Sequence, residues 1–326
     1  MHLCTREFIG RSSLHRDQSA RALGWSDVKE KYRGRGLLIF SSILMGLIVV
    51  VGLLGPFLLV DPLDQDLISA MKPPFSAHHI LGTDPLGRDI LSRIASGARV
   101  SLIVSILGMI GSLTVGTIMG LISGARNRWL AWASDRLIDV QMAFPYILLA
   151  IVIVSATTAS LPILILLMVL AGWASAARVI RSIVLSERPK DYVKAAELVG
   201  ADQKRVLIRY IGPTLVPAIF TIAPLQASAM IVMEATLSFL GLGVQPPTPS
   251  WGGMLLEGKV YLSEAWWLTT IPGIAIAITC AALIGIGEGL SVKLRGDRRR
   301  RVDPSQSETV NAKSNSTKLN SGGDKS

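Results

Sequence analysis

Hydrophobic and polar positions in this chain do not alternate; they segregate into long charge-free runs separated by short charged ones. Residues 37–60 carry no Asp, Glu, Lys or Arg over 24 positions. Another 26 such positions lie between Arg99 and Arg126, and 38 lie between Asp139 and Arg178. Arg209 and Glu234 enclose 24, and Glu264 and Glu288 enclose 23. A hydrocarbon core about 30 Å thick is crossed by about 20 helical residues, so the 38-residue run must hold two crossings. The polar stretch from Ser155 to Ser160, followed by Pro162, predicts where they divide. The pattern predicts an all-α membrane protein with six transmembrane helices.

Composition agrees with that reading. Charged residues make up 17% of the 326 positions, against about a quarter in soluble domains, and the mean hydropathy is +0.48. A soluble helical core would need charged helix faces, and these runs have none. The formal charge of +10 raises the question of nucleic acid. Six spans with both termini in the cytoplasm answer it without a nucleic-acid partner. In that orientation 28 of the 33 basic residues face inside, and only Lys72, Arg88, Arg93, Arg99 and Lys259 face out, as the positive-inside rule requires. Residues 1–36 form a basic leader too long for a secretory signal and lacking a small-residue cleavage site. They are expected to be a cytoplasmic tail before a retained first helix at 37–60. Residues 291–326, rich in Ser, Asn, Lys and Gly beyond Arg301, are expected to be a disordered cytoplasmic tail. Cys4 and Cys280 can build neither a disulfide framework nor a zinc site.

Three segments between the spans carry the chemistry. In the longest cytoplasmic connection, Pro189 suits a first helical turn, and Tyr192, Val193, Ala196 and Val199 recur at helical spacing. Gly200 is placed to end that helix in the left-handed conformation, Asp202 to cap the next, and Gly212-Pro213 to stop it before the fifth span. The small side chains of Ala195 and Ala196 suit a groove in another protein, rimmed by Lys190, Lys194 and Lys204. The same residues equally suit a helix lying at lipid headgroups, and composition alone does not choose.

The outward segment from Asp61 to Arg99 contains Asp84, Arg88 and Asp89, which raise a catalytic or metal reading. A structural network, with Arg88 and Arg93 paired to carboxylates and glycines making turns, is the favoured expectation. His78 and His79 are adjacent and diverge on a helix, so no metal site is expected. After the fifth span, Gly241 to Gly253 holds prolines 246, 247 and 249. Trp251, Trp266 and Trp267 suit the outer membrane interface. No phosphate loop, HExxH or Gly-x-Ser-x-Gly elbow occurs, so no catalytic residue and no cofactor is expected. A membrane-embedded enzyme would want paired ionisable groups at one depth, whereas only Glu234 and Glu288 lie near span ends. A passive channel or exporter would need neither the cytoplasmic loop nor the outward block.

These blocks resemble a known family. Lys194-Ala-Ala-x-x-x-Gly200 resembles the Glu-Ala-Ala–x3–Gly loop of permease subunits in binding-protein-dependent ABC importers. His79-x-Leu-Gly-Thr-Asp-x-Leu-Gly-Arg-Asp, Gly97-Ala-Arg-x-Ser-Leu102 and Glu234-Ala-x-Leu-Ser-Phe-Leu-Gly-x-Gly-x-Gln-Pro-Pro are similar to the second permease of the dipeptide/oligopeptide/nickel family. The similarity spans about Arg33 to Gly296. Lys194 replaces the usual Glu, and Tyr210 and Gly212 replace the Ile and Leu that usually precede the closing proline.

The resemblance implies a type I ABC importer permease fold in a bacterial cytoplasmic (inner) membrane. Its first helix at 37–60 would be followed by a periplasmic or extracellular segment at 61–96. A type-1 transmembrane domain would follow at 97–290, with a coupling loop at about 187–205. It further implies a second homologous permease, two ATP-binding subunits and an extracytoplasmic solute-binding protein as partners, besides membrane lipid. Lys194, Ala195, Ala196 and Gly200 would couple to the ATPases, and Gln226, Ser228 and Glu234 are candidates to line the pathway. Peptides are the favoured cargo, with nickel, glutathione-like peptides and opines as alternatives.

Overall fold

The computed structural model describes residues 35–302 except 77–78, 126 and 158–159, with side chains as far as Leu294. The expectations for residues 1–34 and 303–326, and for His78, lie outside those residues. Two compact units divide the chain, 41–287 and 1–40 with 288–326. Of the second, the described residues are the first turns of one helix and the last turns of another.

Helices make up nearly all of it. Among the described residues there are two isolated β-bridges, Ser76–His79 and Thr83–Asp89, and no extended strand. The helices are α1 (Arg35–Leu58), α2 (Ile90–Ser123), α3 (Arg128–Ala143), α4 (Tyr146–Ala156), α5 (Leu161–Glu187), α6 (Asp191–Leu198), α7 (Gln203–Arg205), α8 (Gly212–Phe239), α9 (Trp251–Gly258) and α10 (Trp267–Val302). Five continuous helices are long and apolar enough to cross a membrane: α1, α2, α5, the continuous 203–239 helix and α10. The pair α3 and α4, bent by 85° at its break, is long and apolar enough only when taken together, and makes a sixth if it is one span. The bend falls at Phe144-Pro145, where Phe144 is extended at φ −87°, ψ 129°. A residue before proline is pushed out of the helical region by the proline ring. The division expected at Ser155–Ser160 is found, with α5 opening at Leu161 and Pro162 in its first turn.

Two expectations are corrected. Gly212-Pro213 does not stop the second cytoplasmic helix. A π-helical turn, Val206–Ile211, joins α7 to α8 so that 203–239 run as one helix. The wider π turn accommodates the proline ring and its missing N–H, which an unmodified α-helix would not. Pro189 lies before the cap Lys190 of α6, in the turn after α5, and not inside a first helical turn. α10 runs on through residue 291 to Val302. α2 starts at Ile90 and runs through residues 96 and 97.

The packing is organised around α2 and α5. Gly108, Gly116, Gly120 and Gly124 form a stripe at multiples of four on α2, facing α5. A Cβ at Gly116 would come 2.6 Å from the Cβ of Ala176 and 2.7 Å from the carbonyl of Trp173. At Gly120 it would meet Ile180 at 2.7 Å, and at Gly108 Met168 at 2.6 Å. Small residues let helix backbones approach closely in lipid, where association depends on van der Waals packing rather than on a hydrophobic drive. Around this seam sit three buried clusters. Val104, Leu167, Met168 and Met230 fill the middle. Ile180, Val184, Val193, Val206, Ile211 and Leu215 fill the end nearest α6. Ile90, Met254, Ala265, Trp267 and Leu268 fill the opposite end.

Candidate functional site

At the α5–α6 junction the chain turns back on itself and fastens the turn. Glu187, the last residue of α5, is buried; it accepts hydrogen bonds from Lys190 Nζ at 2.6 Å and Tyr192 Oη at 2.8 Å. Burial first, and then the hydrogen bond and negative charge of Glu187, push the Tyr192 hydroxyl up to about 12, so it stays a donor. α6 ends where the sequence requires. Gly200 has φ +87°, its N–H bonds Glu197 O at 3.0 Å, and the N–H of Ala201 bonds Ala196 O at 3.0 Å. This pair of bonds is the Schellman motif, which satisfies the last carbonyls of a helix through a left-handed residue. Asp202 accepts from the N–H of Gln203 at 2.8 Å and starts the next helix.

Which face of α6 looks outward differs from expectation. Val193 is buried in the protein's own cluster with Val184, Val206 and Ile211, and Ala196, one turn on, is buried as well. Ala196 therefore faces inward and not toward a partner's groove. Lys194 and Ala195 are exposed, and Lys194 makes a 3.9 Å surface contact with Asp191. Val199, expected on the apolar face, is 89% exposed, and Leu198 beside it is 88% exposed. The periodicity placed Val199 one helical step after Ala196, but the helix stops at Leu198 and Val199 lies in the turn beyond it. The unpartnered apolar tip of the loop is thus Leu198-Val199, which the spacing argument did not isolate.

The opposite end of the bundle carries the ion network that the arginine spacing suggested. Asp84 accepts from Arg88 Nε at 2.5 Å and Arg93 Nη1 at 2.7 Å, and from the backbone N–H groups of Leu86 and Arg88, each at 2.9 Å. Glu257 of α9 completes it, 3.0 Å from Arg88 and 2.8 Å from Arg93. The sequence did not indicate Glu257, because it lies 169 positions from Arg88. Gly87, at φ +74°, allows the approach of Asp66, whose carbonyl oxygen a Cβ would meet at 1.8 Å. His79 Nδ1 lies 3.0 Å from Asp89, which also caps α2 through Ser92 N–H. No group of three metal-ligating side chains occurs among the described residues.

Two of the three tryptophans expected at the membrane interface are instead inside the fold. Trp251 donates to the carbonyl of Ile94 at 3.1 Å and Trp267 to that of Thr83 at 3.2 Å, both buried, while Trp266 is exposed. Their indole N–H groups found backbone partners, which makes burial affordable for a large amphipathic ring.

The three fifth-span residues are all on α8 but do not share one surface. Gln226 is half-buried and donates to the carbonyl of Gly172 on α5 at 3.1 Å. Ser228 is buried, its carbonyl receiving the Cys280 thiol at 3.7 Å. Glu234 is fully buried between Ser101 on α2 and Ser238, which donate to its two oxygens at 2.9 and 2.7 Å. The N–H of Trp251 reaches the same Ser101 at 3.4 Å. Glu234 and Ser228 are buried in this chain's own packing.

With this geometry in hand, known proteins give the comparison. The family described as binding-protein-dependent transport system inner membrane component matches residues 112–295. The di/tripeptide transport system permease protein DppC of Pseudomonas aeruginosa is 35% identical over 272 residues, covering 82% of this chain and 88% of the relative. The dipeptide transport system permease protein DppC of Alkalihalophilus pseudofirmus is 33% identical over 274 residues, covering 84% and 90%. The oligopeptide transport system permease protein OppC of Haemophilus influenzae is 30% identical over 269 residues, covering 82% and 86%. This multi-pass chain, with its apolar helices and type I ABC importer permease fold, belongs to the family of binding-protein-dependent transport system inner membrane components.

Proposed function

We propose that the chain is one of two permease subunits of an ATP-driven importer for di- or oligopeptides, with both termini in the cytoplasm. The relatives named for peptide transport support the cargo. The 28-to-5 division of basic residues supports the orientation. In this reading a second permease completes the pathway, two ATP-binding subunits dock inside, and a solute-binding protein delivers peptide outside. Energy arrives from the partners, and the chain is a transport subunit and not an enzyme.

The observation that carries the reading is the α6–Gly200–α7 element at 187–205. It is a short helix bolted by Glu187 to the end of one span and continued through a π turn into the next, with Leu198 and Val199 bare at its tip. A push on that tip moves α5 and α8 together. ATP-driven closure of the ATPases would then shift the population between inward-open and outward-open states of the bundle. Lys194 and Ala195 flank the contact, while Ala196 and Gly200 fix the angle of the helix. Gln226, Ser228 and Glu234 remain the candidates for the pathway, with Glu234 and Ser228 buried behind its wall and Gln226 half-buried. The test is reconstitution of this chain with the second permease, the ATPases and the binding protein. ATP hydrolysis stimulated by peptide-loaded binding protein, with peptide uptake, is the expected result. Uptake that proceeds without the ATPases would establish a passive channel instead.

A further inference from the structure

A cavity of about 210 Å³ opens between α3 and α5, lined by Trp132, Asp135, Arg136, Asp139, Arg178 and Arg181. It serves no step of the coupling argument. Its charges are unevenly satisfied. Arg181 pairs with Asp135 at 2.7 Å, and Asp135 also accepts from Ser123 at the end of α2. Arg136 and Arg178 instead share Asp139 at 3.8 and 3.7 Å, and all three of these side chains are more than half exposed. The buried Nε of Arg181 has no partner among the described residues. Three guanidiniums against two carboxylates leave a net positive cavity with unused donors. Guanidinium forks match the oxygens of a phosphate.

The surroundings say which kind of phosphate-bearing molecule fits. Trp129 and Trp132 stack edge-to-face at 6.4 Å and are both exposed at the start of α3, as tryptophans are at the headgroup level of a bilayer. Leu137, Val140 and Met142 are exposed farther along the same helix, where acyl chains can cover them. Basic pockets between membrane helices are recurrent sites for anionic headgroups.

We propose that this cavity binds a phosphate group, supplied by an anionic phospholipid of the cytoplasmic leaflet. Arg136 and Arg178 turn from Asp139 to the phosphate, and Arg181, held by Asp135, adds positive charge beside it. The lipid then fastens the α3 half of the broken span to α5. The choice of leaflet rests on the orientation proposed above. Its failure would show in the sidedness of cysteine labelling and would leave lipid retention by the purified chain unchanged.

The test is native mass spectrometry of the delipidated full-length chain in detergent, titrated with short-chain phosphatidylglycerol, phosphatidylcholine or inorganic phosphate. Phosphatidylglycerol should be retained at least tenfold better than phosphatidylcholine. Arg136→Gln with Arg178→Gln should weaken that retention by roughly tenfold or more, the factor expected for losing a charge-assisted hydrogen bond. Asp139→Asn, which removes the competing carboxylate, should strengthen retention several-fold. Retention of inorganic phosphate, lost in the arginine variant, would support the site with a soluble phosphate as its source. Equal retention of both lipids, or arginine and aspartate variants that bind like the parent chain, would overturn the proposal. So would arginine variants that shed the second permease from the complex while holding lipid normally, since the cavity would then be a protein contact.

Discussion

Ser101 on α2 donates a 2.9 Å hydrogen bond to the carboxyl of Glu234 on α8, and the same hydroxyl receives the backbone N–H of Trp251 at 3.4 Å. One small side chain therefore ties two spans and the start of α9. Glu234 has no cation among its described partners; its acceptors are met by hydroxyls alone. Leaving one acceptor of a buried group unsatisfied costs about 1–3 kcal/mol. Ser101→Ala is expected to lower the thermal unfolding midpoint of the detergent-solubilised chain, and Ser101→Ala with Ser238→Ala to lower it further. Glu234→Gln should cost less than the double serine variant, because a neutral amide still bonds both hydroxyls. An unchanged midpoint for the double serine variant would remove this node from the account of the fold.

Asp84 holds two arginines that the fold has buried, one of them, Arg93, only 3% exposed. Removing one partner of a buried ion pair costs about 3–5 kcal/mol, because it strands the other charge. Asp84→Ala should abolish accumulation of folded chain in membranes, as measured by detergent extraction and size-exclusion recovery. Glu257→Ala should be milder, since its side chain is 35% exposed and water can replace part of its role. If Asp84→Ala assembled normally and lost only transport, the network would have a direct functional role in place of a structural one.

How far the sequence foretold this architecture can be read from particular residues. Charge-free runs located every continuous span, because an unpaired charge in hydrocarbon is too costly to hide. Gly200 and Asp202 were legible because left-handed backbone and side-chain caps leave a strong local mark. Pairing within the outward block was legible for Asp84, Arg88 and Arg93, which lie within nine positions, but not for Glu257. The bend at Pro145 was missed because a count of charges runs through it undisturbed. The reach of Gly212-Pro213 was misjudged because a π turn, set by its helical neighbours, absorbed the proline. Trp251 and Trp267 look alike in sequence to interfacial tryptophans; only the carbonyls of Ile94 and Thr83 decide their burial. The glycine stripe on α2 went unremarked in the sequence, because glycines 108, 116 and 120 gain their meaning only beside α5.

That stripe gives a test of helix packing with its own control. Gly116→Ala places a methyl 2.6 Å from Ala176 Cβ and 2.7 Å from a backbone oxygen. Overpacking a tight seam typically costs about 1–3 kcal/mol, and here the obstruction is backbone that cannot rotate away. Gly46→Ala on α1 has nothing within 4 Å and should be neutral or stabilising by less than about 1 kcal/mol. Unfolding midpoints of the two variants, measured side by side, should diverge. Equal midpoints would mean that α2 and α5 are not seated this closely.

The shape of α6 and its exposed tip can be varied separately. A Cβ on Gly200 would meet nothing within 4 Å, so substitution there acts only through the backbone, held at φ +87°. A β-branched residue in that conformation costs on the order of 1–2 kcal/mol. A bundle of five or six spans survives such a cost, but it is comparable to the few kcal/mol that separate conformational states of a transporter. Gly200→Val should therefore insert and extract normally while its ATPases copurify poorly, and Gly200→Asn, which tolerates the left-handed region, should restore much of the binding. Leu198→Asp probes the surface without strain, since the side chain is already 88% exposed. It should leave the unfolding midpoint within about 0.5 kcal/mol of the parent, as surface changes do, yet reduce ATPase copurification and the hydrolysis stimulated by loaded binding protein. Ala196→Trp belongs to a third class: its site is buried against the chain itself, so it should dislodge α6 and lower stability as well as docking. Normal copurification and stimulation in both Gly200→Val and Leu198→Asp would show that α6 is not the coupling helix, and the reading of it as a helix resting on lipid headgroups would take its place.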